Sequence, residues 1–360
     1  MTAAGAALDM GALAEHVARR RAMFYPKADI VLDDAVLRTL AAHPAEELRE
    51  EAGQALAAAL GDAATEYRLT PMPQQGTYHR VYLASGAEGS RRYVVRLNRL
   101  PREERDWQLL ADESVSRALA QQGIDHPEVV LVDCSRAQAA TDFEVAEFIE
   151  APTLSAFDAD DARIAPWLAR AARMLARVHA VRGQRYGFID VSGTPTLVGV
   201  HASWVAFLRA RLAENITQVT QAGLLTAAER GVVEAHFEDG FATLGAVEPR
   251  LLHGDPGNHN ILARADGTVV FIDWEDALLG DPHFDLAFWA TFHPERRWPA
   301  FFAAYFGAPW VPDARFWLYY LRIAISKTVH RLRFDYADHP DRPRASLRMQ
   351  RALQALGAAA

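Results

Sequence analysis

The chain has 360 residues, 50% of them apolar, with 38 Lys and Arg against 46 Asp and Glu and a formal net charge of −8. Such a length exceeds what one small core needs and predicts two or three packed units, while the acidic balance argues against nucleic acid as a partner. No apolar run is long enough for a membrane span, the start MTAAGAALDMGALAEH lacks the pattern of a signal peptide, and the lone Cys134 can form no internal disulfide, so a cytoplasmic protein away from membranes is expected.

Residues 1–65 read as helical, with an Ala-rich segment from Ala45 to Leu60 and a break at Tyr25-Pro26. They carry no catalytic pattern and are expected to form a helical extension, used as a packing cap or as an association surface for a homodimer. From Glu66 the texture changes to short β-type runs, Tyr67–Leu69, Tyr78–Leu83 and Tyr93–Leu97, separated by Gly-containing turns. A helix is predicted over Asp106–Gln122, with Leu109, Leu110, Val115 and Leu119 on one apolar face, and two more strands over Val129–Val132 and Phe143–Phe148. Past Pro152 the chain turns helical: Ile164, Leu168, Ala171, Leu175 and Val178 recur at helical spacing, and further helices are predicted over Trp204–Val219 and Thr226–Phe237.

The densest chemistry lies in Leu251–Ala287, LLHGDPGNHNILARADGTVVFIDWEDALLGDPHFDLA. Asp266-Gly267 between β-formers predicts a hairpin. A mirror point between those two residues would bring Asn260 and Asp273 face to face. An amide oxygen and a carboxylate are hard ligands suited to Mg²⁺, which takes one or two protein carboxylates and completes its shell with water and phosphate. Asp255 precedes Asn260 by five residues, in the turn before the first strand.

Asp, four residues, Asn, a hairpin and a second Asp is the order of base, metal ligand and metal ligand in protein kinases. With HGDPGNHN, FIDWED and GDPHFDLA, the chain resembles the aminoglycoside phosphotransferase and choline kinase-like family of small-molecule kinases. The resemblance covers about residues 66–330. It implies an α+β, protein kinase-like two-lobed fold: a nucleotide-binding N-lobe over 66–151, rich in strands, and a helical C-lobe over 152–360. It also implies Mg²⁺ as cofactor and ATP or GTP as donor to a hydroxyl of a small acceptor. Asp255 would accept or orient the acceptor's hydroxyl proton, and Asn260 and Asp273 would hold the metal. Gly76, Thr77, Tyr78 and His79 would cover the phosphates, and the backbone around Glu147, Phe148 and Ile149 would meet the purine. The strand RRYVVRLNR has Arg96 where such kinases carry Lys, and Glu113 is the acid expected to pair with it.

Two other readings compete. An Arg in place of Lys is not geometrically neutral, and it motivates a nucleotide-binding pseudokinase. His253, Asp255, His259, Asp273, Asp281 and His283 could instead be read as a two-metal hydrolase cluster, although no His-x-His pair supports it. For the acceptor, Glu275, Asp276, Trp289, Tyr305 and Trp310 offer acids and aromatics suited to an amino sugar or an aminoglycoside-type antibiotic. Residues 322–351 carry eight basic side chains against three Asp, and that run, if it faces the pocket, favours a neutral or anionic acceptor such as a sugar or nucleoside.

Overall fold

The computed structural model describes residues 10–30, 36, 40, 42, 47–73, 78–100, 107–192, 196–334 and 345–358. A five-stranded antiparallel sheet forms the smaller lobe, with strands β1 (Arg68–Pro71), β2 (His79–Ser85), β3 (Tyr93–Asn98), β4 (Val129–Asp133) and β5 (Phe143–Glu147) in the order β1-β2-β3-β5-β4. Alternation along the strands sends Tyr82, Val95, Leu97, Phe143 and Val145 into one small core. Two helices of the chain's first part belong to opposite lobes. Helix α1 (Met10–Arg21) and the single turn α2 (Pro26–Asp29) give Leu13, Phe24, Tyr25 and Ala28 to the large-lobe core. Helix α3 (Arg49–Leu60) lays Ala52, Ala55 and Leu56 on the small-lobe sheet, where their size allows close approach. Helix α4 (Leu109–Gln121) lies between β3 and β4 in the chain and lines the cleft through Asp112 and Ser116.

The larger lobe is helical. It contains α5 (Asp161–Val178), capped by the Asp160 carboxylate, and a four-stranded sheet of β6 (Tyr186–Ile189), β7 (Gly199–His201), β8 (Arg250–Leu252) and β11 (Leu278–Gly280), in the order β7-β6-β11-β8. The predicted helix over Trp204–Val219 is instead two, α6 (Trp204–Arg209) and α7 (Leu212–Gln221), parted where Arg211 adopts φ 56°. The reason lies far along the chain. The buried guanidinium of Arg322 donates to the carbonyls of Leu208 and Ala210 at 2.8 and 2.6 Å, satisfying helix-end acceptors that a continuous helix would have paired internally. Helix α8 (Ala227–Thr243) starts with a capping box between Thr226 and Glu229.

The hairpin of β9 (Ile261–Ala263) and β10 (Val269–Phe271) forms with Gly267 at φ 86° in its turn. Its register differs by one residue from the mirror expected at Asp266-Gly267. Phe271 pairs with Ile261, and the Ile272 N–H reaches the Asn260 carbonyl at 3.0 Å, so Asn260 lies opposite Ile272 and not Asp273. The loop is three residues long with a left-handed glycine last, which moves the pairing by one position. Helices α9 (Pro282–Ala290), α10 (Trp298–Phe306), α11 (Ala314–Phe334) and α12 (Ala345–Ala358) complete the lobe. No described helix is long and apolar enough to cross a membrane.

Candidate active site between the lobes

Two cavities meet between the lobes. The larger, about 450 Å³, is lined by Tyr78, His79, Arg96, Asp112, Glu144, Asn260 and Asp273, and by the strand exit Glu147, Phe148 and Ile149. The smaller, about 220 Å³, is lined by Tyr25, Lys27, Asp255, Phe292, Lys327, His330, Arg331 and Arg348. Lys27 and His259 line both. Gly76 and Thr77 of the expected phosphate loop lie outside the described residues.

The loop carrying Asp255 is fixed from beneath. Gly254 sits at φ 84°, and a Cβ there would come within 2.0 Å of the Asp276 carbonyl oxygen, so only glycine fits. The fully buried Asp285 carboxylate accepts the N–H groups of His253 at 2.6 Å and Gly254 at 3.0 Å and meets His179 Nε2 at 3.1 Å. His253 stacks near Trp274 and donates through Nε2 to the Ile272 carbonyl at 3.0 Å, leaving Nδ1 to face the Asp255 N–H at 3.3 Å. Burial pushes its pKa down, so it is a neutral brace for the loop. Asp285→Ala leaves buried backbone donors without their acceptor and is expected to destabilise the protein by about 2–5 kcal/mol, read as a lowered denaturation midpoint. A shift below 1 kcal/mol would show that the loop holds itself.

Asp255 is 4% exposed. Its Oδ2 takes Lys27 Nζ at 2.6 Å, and its Oδ1 is buried with no hydrogen-bond partner among the described residues. Burial opposes the charge, but Lys27 and then His259 hold the carboxyl well below the usual range. Lys27 comes from α2, a segment in which the sequence shows no catalytic pattern. The turn that presents it is held by the Asp29 carboxylate, which accepts the N–H groups of Phe24 and Tyr25 at 2.7 and 2.8 Å. His330 Nδ1 lies 2.8 Å from the Lys27 carbonyl.

Asn260 donates through its amide nitrogen to the Asp255 carbonyl at 3.0 Å, which leaves the amide oxygen as its remaining acceptor. Asp273 has φ 68°, a left-handed conformation uncommon for a non-glycine residue, and this bend replaces strand pairing as the means by which its carboxylate enters the cleft beside Asn260. Its side chain remains 35% exposed there. An amide oxygen and an open carboxylate in one cleft fit Mg²⁺. The hydrolase cluster does not assemble. His253 is spent on backbone groups, Asp281 caps α9 and accepts from Tyr319 and Arg315, and no group of three or more His, Cys, Asp or Glu among the described residues could hold a metal ion.

Arg96 stands at the centre of four carboxylates. Nη1 meets Asp112 at 2.6 Å and Glu144 at 3.3 Å; Nη2 meets Asp273 at 2.9 Å and Glu275 at 2.8 Å. The expected partner, Glu113, points away and pairs with Arg117 at 3.0 Å. Asp112 replaces it and also accepts the Trp274 N–H at 2.9 Å, tying α4 to the segment after Asp273. Burial, then the neighbouring Asp112, pushes Glu144 up to about 8.

The expected acceptor residues part company. Glu275 lines the larger cleft on Arg96 and His79, and Asp276 is buried 3.7 Å from Arg20. Trp289 is fully buried and stacked on Phe301, Tyr305 bonds His179, and Trp310 packs on Phe302, Phe306 and Phe316; none of the three lines either cavity. The smaller cavity is walled instead by residues of α2, α11 and α12 together with Tyr25, Asp255, His259 and Phe292.

A strand lobe over a helical lobe, with paired acids and an amide on a short hairpin between them, is a protein kinase-like α+β fold. Two of the solved structures that share it illustrate the likeness. One is a thermostable mutant of the aminoglycoside phosphotransferase APH(4)-Ia in ternary complex with AMP-PNP and hygromycin B: 19% identity, 81% of this chain and 95% of that one covered, TM-score 0.59. The other is the choline kinase LicA from Streptococcus pneumoniae: 19% identity, 86% and 99% covered, TM-score 0.54. At such identities the likeness is one of fold. No curated protein matches the chain. Residues 69–320 match the phosphotransferase enzyme family APH, and the chain belongs to that family.

Proposed function

We propose that the protein is a small-molecule kinase that moves the γ-phosphate of ATP or GTP to a hydroxyl of an acceptor bound in the smaller cavity. The observation that carries this reading is the buried Asp255 Oδ1, an acceptor without a donor among the described residues, beside the meeting point of the two cavities. A buried carboxylate oxygen in that state suits an incoming hydroxyl. The acceptor oxygen attacks the γ-phosphorus, its bond to the β-phosphate oxygen breaks, the proton passes to or is oriented by Asp255, and the nucleoside diphosphate leaves. Asn260 and Asp273 would hold Mg²⁺, which when bound neutralises charge on the phosphate oxygens. Lys27 keeps Asp255 ionised, and Arg96 fixes Asp273, Glu275 and α4 in one arrangement. The backbone at Glu147–Ile149 would meet the base, and Tyr78 and His79 the phosphates; all five residues line the larger cavity.

The test is phosphoryl transfer measured with Mg²⁺ and ATP or GTP across sugars, amino sugars, nucleosides, hydroxy acids and antibiotics. Product that requires Mg²⁺ and vanishes with a chelator is expected. Nucleotide binding without transfer to any acceptor would favour the pseudokinase reading, which the four-acid engagement of Arg96 motivates.

A further inference from the structure

Arg96 is not placed to follow a phosphate out of the larger cavity. Both of its terminal nitrogens are held by carboxylates at 2.6 to 3.3 Å, and turning it away would strip buried acids of their cation. A different charge stands where the cavities meet. Among the described residues, Lys27 and His259 line both cavities, and Lys27 is the only lysine or arginine that does. His259 reaches the Asp255 carboxylate at 3.5 Å, whereas Lys27 Nζ lies 2.6 Å from the same Oδ2. The backbone of Lys27 is tied down. The Asp29 carboxylate holds its turn, His330 Nδ1 lies 2.8 Å from its carbonyl, and Arg333 donates to the carbonyls of Ala28 and Ile30. Its side chain, by contrast, is 32% exposed at the junction. Nζ makes one hydrogen bond among the described residues, and an ammonium has three donors, so two remain for other oxygens. Burial opposes the charge, but Asp255 more than restores it and holds the pKa well above the usual lysine value, so the group is an ammonium.

We infer that Lys27 is a further catalytic residue of phosphoryl transfer: while still against Asp255, its ammonium donates to an oxygen of the γ-phosphate as that group passes from the nucleotide to the acceptor. This rests on the kinase reading above. With the nucleotide in the larger cavity and the acceptor hydroxyl at Asp255 in the smaller, the phosphorus crosses at the junction that Lys27 lines. The bond between the acceptor oxygen and phosphorus forms, the bond from phosphorus to the β-phosphate oxygen breaks, and the hydroxyl proton passes to or is oriented by Asp255. Lys27 keeps its own three protons throughout. A charged donor fixed where negative charge builds needs no reorganisation at the moment of reaction. The ion pair also divides the carboxylate: Oδ2 stays with Lys27, and Oδ1, which has no hydrogen-bond partner among the described residues, is left for the hydroxyl.

The experiment isolates the γ-phosphate from the rest of the nucleotide. ADP and AMP-PNP are titrated calorimetrically, with Mg²⁺, into the wild type, Lys27→Met, Asp255→Asn and the double variant Lys27→Met/Asp255→Asn. Lys27→Met is expected to weaken AMP-PNP at least about tenfold while changing ADP less than about threefold. The Asp255→Asn background carries the decision, because it removes the acid through which Lys27 could act indirectly. A lysine that touches the phosphate gives the same loss there, about tenfold or more between Asp255→Asn and the double variant. That variant leaves neither charge of the pair without its partner, so it is read even where Lys27→Met alone fails to fold. AMP-PNP affinity indifferent to Lys27→Met, ADP falling in step with AMP-PNP, or a loss that vanishes in the Asp255→Asn background overturns the inference. Lys27 is then a partner of the acid alone, and the kinase reading stands. Failure of both nucleotides to bind the wild type overturns the kinase reading and this inference with it.

Discussion

Asp255→Asn is expected to lower kcat for phosphoryl transfer by about 10²–10⁴-fold with little change in nucleotide affinity. The substitution keeps the shape of a side chain that is 4% exposed but removes the charge that Lys27 holds in place. The nucleotide cavity is lined by other residues, so its affinity serves as the internal control. A carboxamide still accepts a hydrogen bond at its oxygen, so any activity that survives measures orientation alone, and the part that is lost measures the negative charge. Single-turnover kinetics with a saturating acceptor separates this from weakened acceptor binding. If kcat falls less than threefold, Asp255 is not the group that handles the acceptor proton. If nucleotide affinity falls with it, Asp255 acts through the architecture of the loop and not at the reacting atoms.

The second large effect is at Arg96. Arg96→Ala would leave Asp112 and Glu144, 4% and 3% exposed, in a buried acid cluster with Asp273 and Glu275 and without their shared cation. Removing one partner of a buried ionic group costs about 3–5 kcal/mol, so a large fall in the urea midpoint is expected together with loss of nucleotide binding. Arg96→Lys decides a finer point. A guanidinium reaches two pairs of carboxylates with two separate nitrogens, Nη1 toward Asp112 and Glu144 and Nη2 toward Asp273 and Glu275. One ammonium cannot do both at these distances, so Arg96→Lys is expected to retain the fold and lose transfer activity about tenfold or more. Full activity in Arg96→Lys would mean that the position needs a charge and not a fork.

Much of the fold was legible because its signals are local. Strand alternation, the Asp-Gly turn and the apolar periodicity of α5 are all read within a few residues, and each element appears close to its expected place. The errors come from phase and from distance. The hairpin exists, but a three-residue loop moved its register by one, and Asp273 comes to the cleft through its own left-handed bend. Asp112, not Glu113, meets Arg96, and a signal for that was present: residue 112 lies three positions from both Leu109 and Val115, on the buried face of its helix, whereas 113 is turned toward solvent with Arg117. Of the aromatic residues chosen for the acceptor, Trp289 is core, on a helix α9 that buries every side chain from Phe284 to Ala290, and Tyr305 and Trp310 pack half-buried against that core. Lys27 could not be placed by any local rule, because its partner is 228 residues away. Its one trace in the sequence is scarcity, a lysine in a chain that otherwise uses arginine almost everywhere.

The placement of α1 and α2 in the large lobe has a consequence for how the chain is made. Their core neighbours Phe284 and Phe288, and the Lys27 carbonyl's partner His330, lie more than 250 residues later, and Arg333 bonds the Ala28 carbonyl across 305. At about 5–20 residues per second, a ribosome needs roughly 15–60 s to deliver those partners. Through that interval α1 and α2 have only earlier partners such as Trp107, Phe188 and Phe207, while the small-lobe sheet, contiguous from β1 to β5, can close. Lys27, the partner of Asp255, therefore reaches its full set of contacts only once α11 has been made, well after the small-lobe sheet can form.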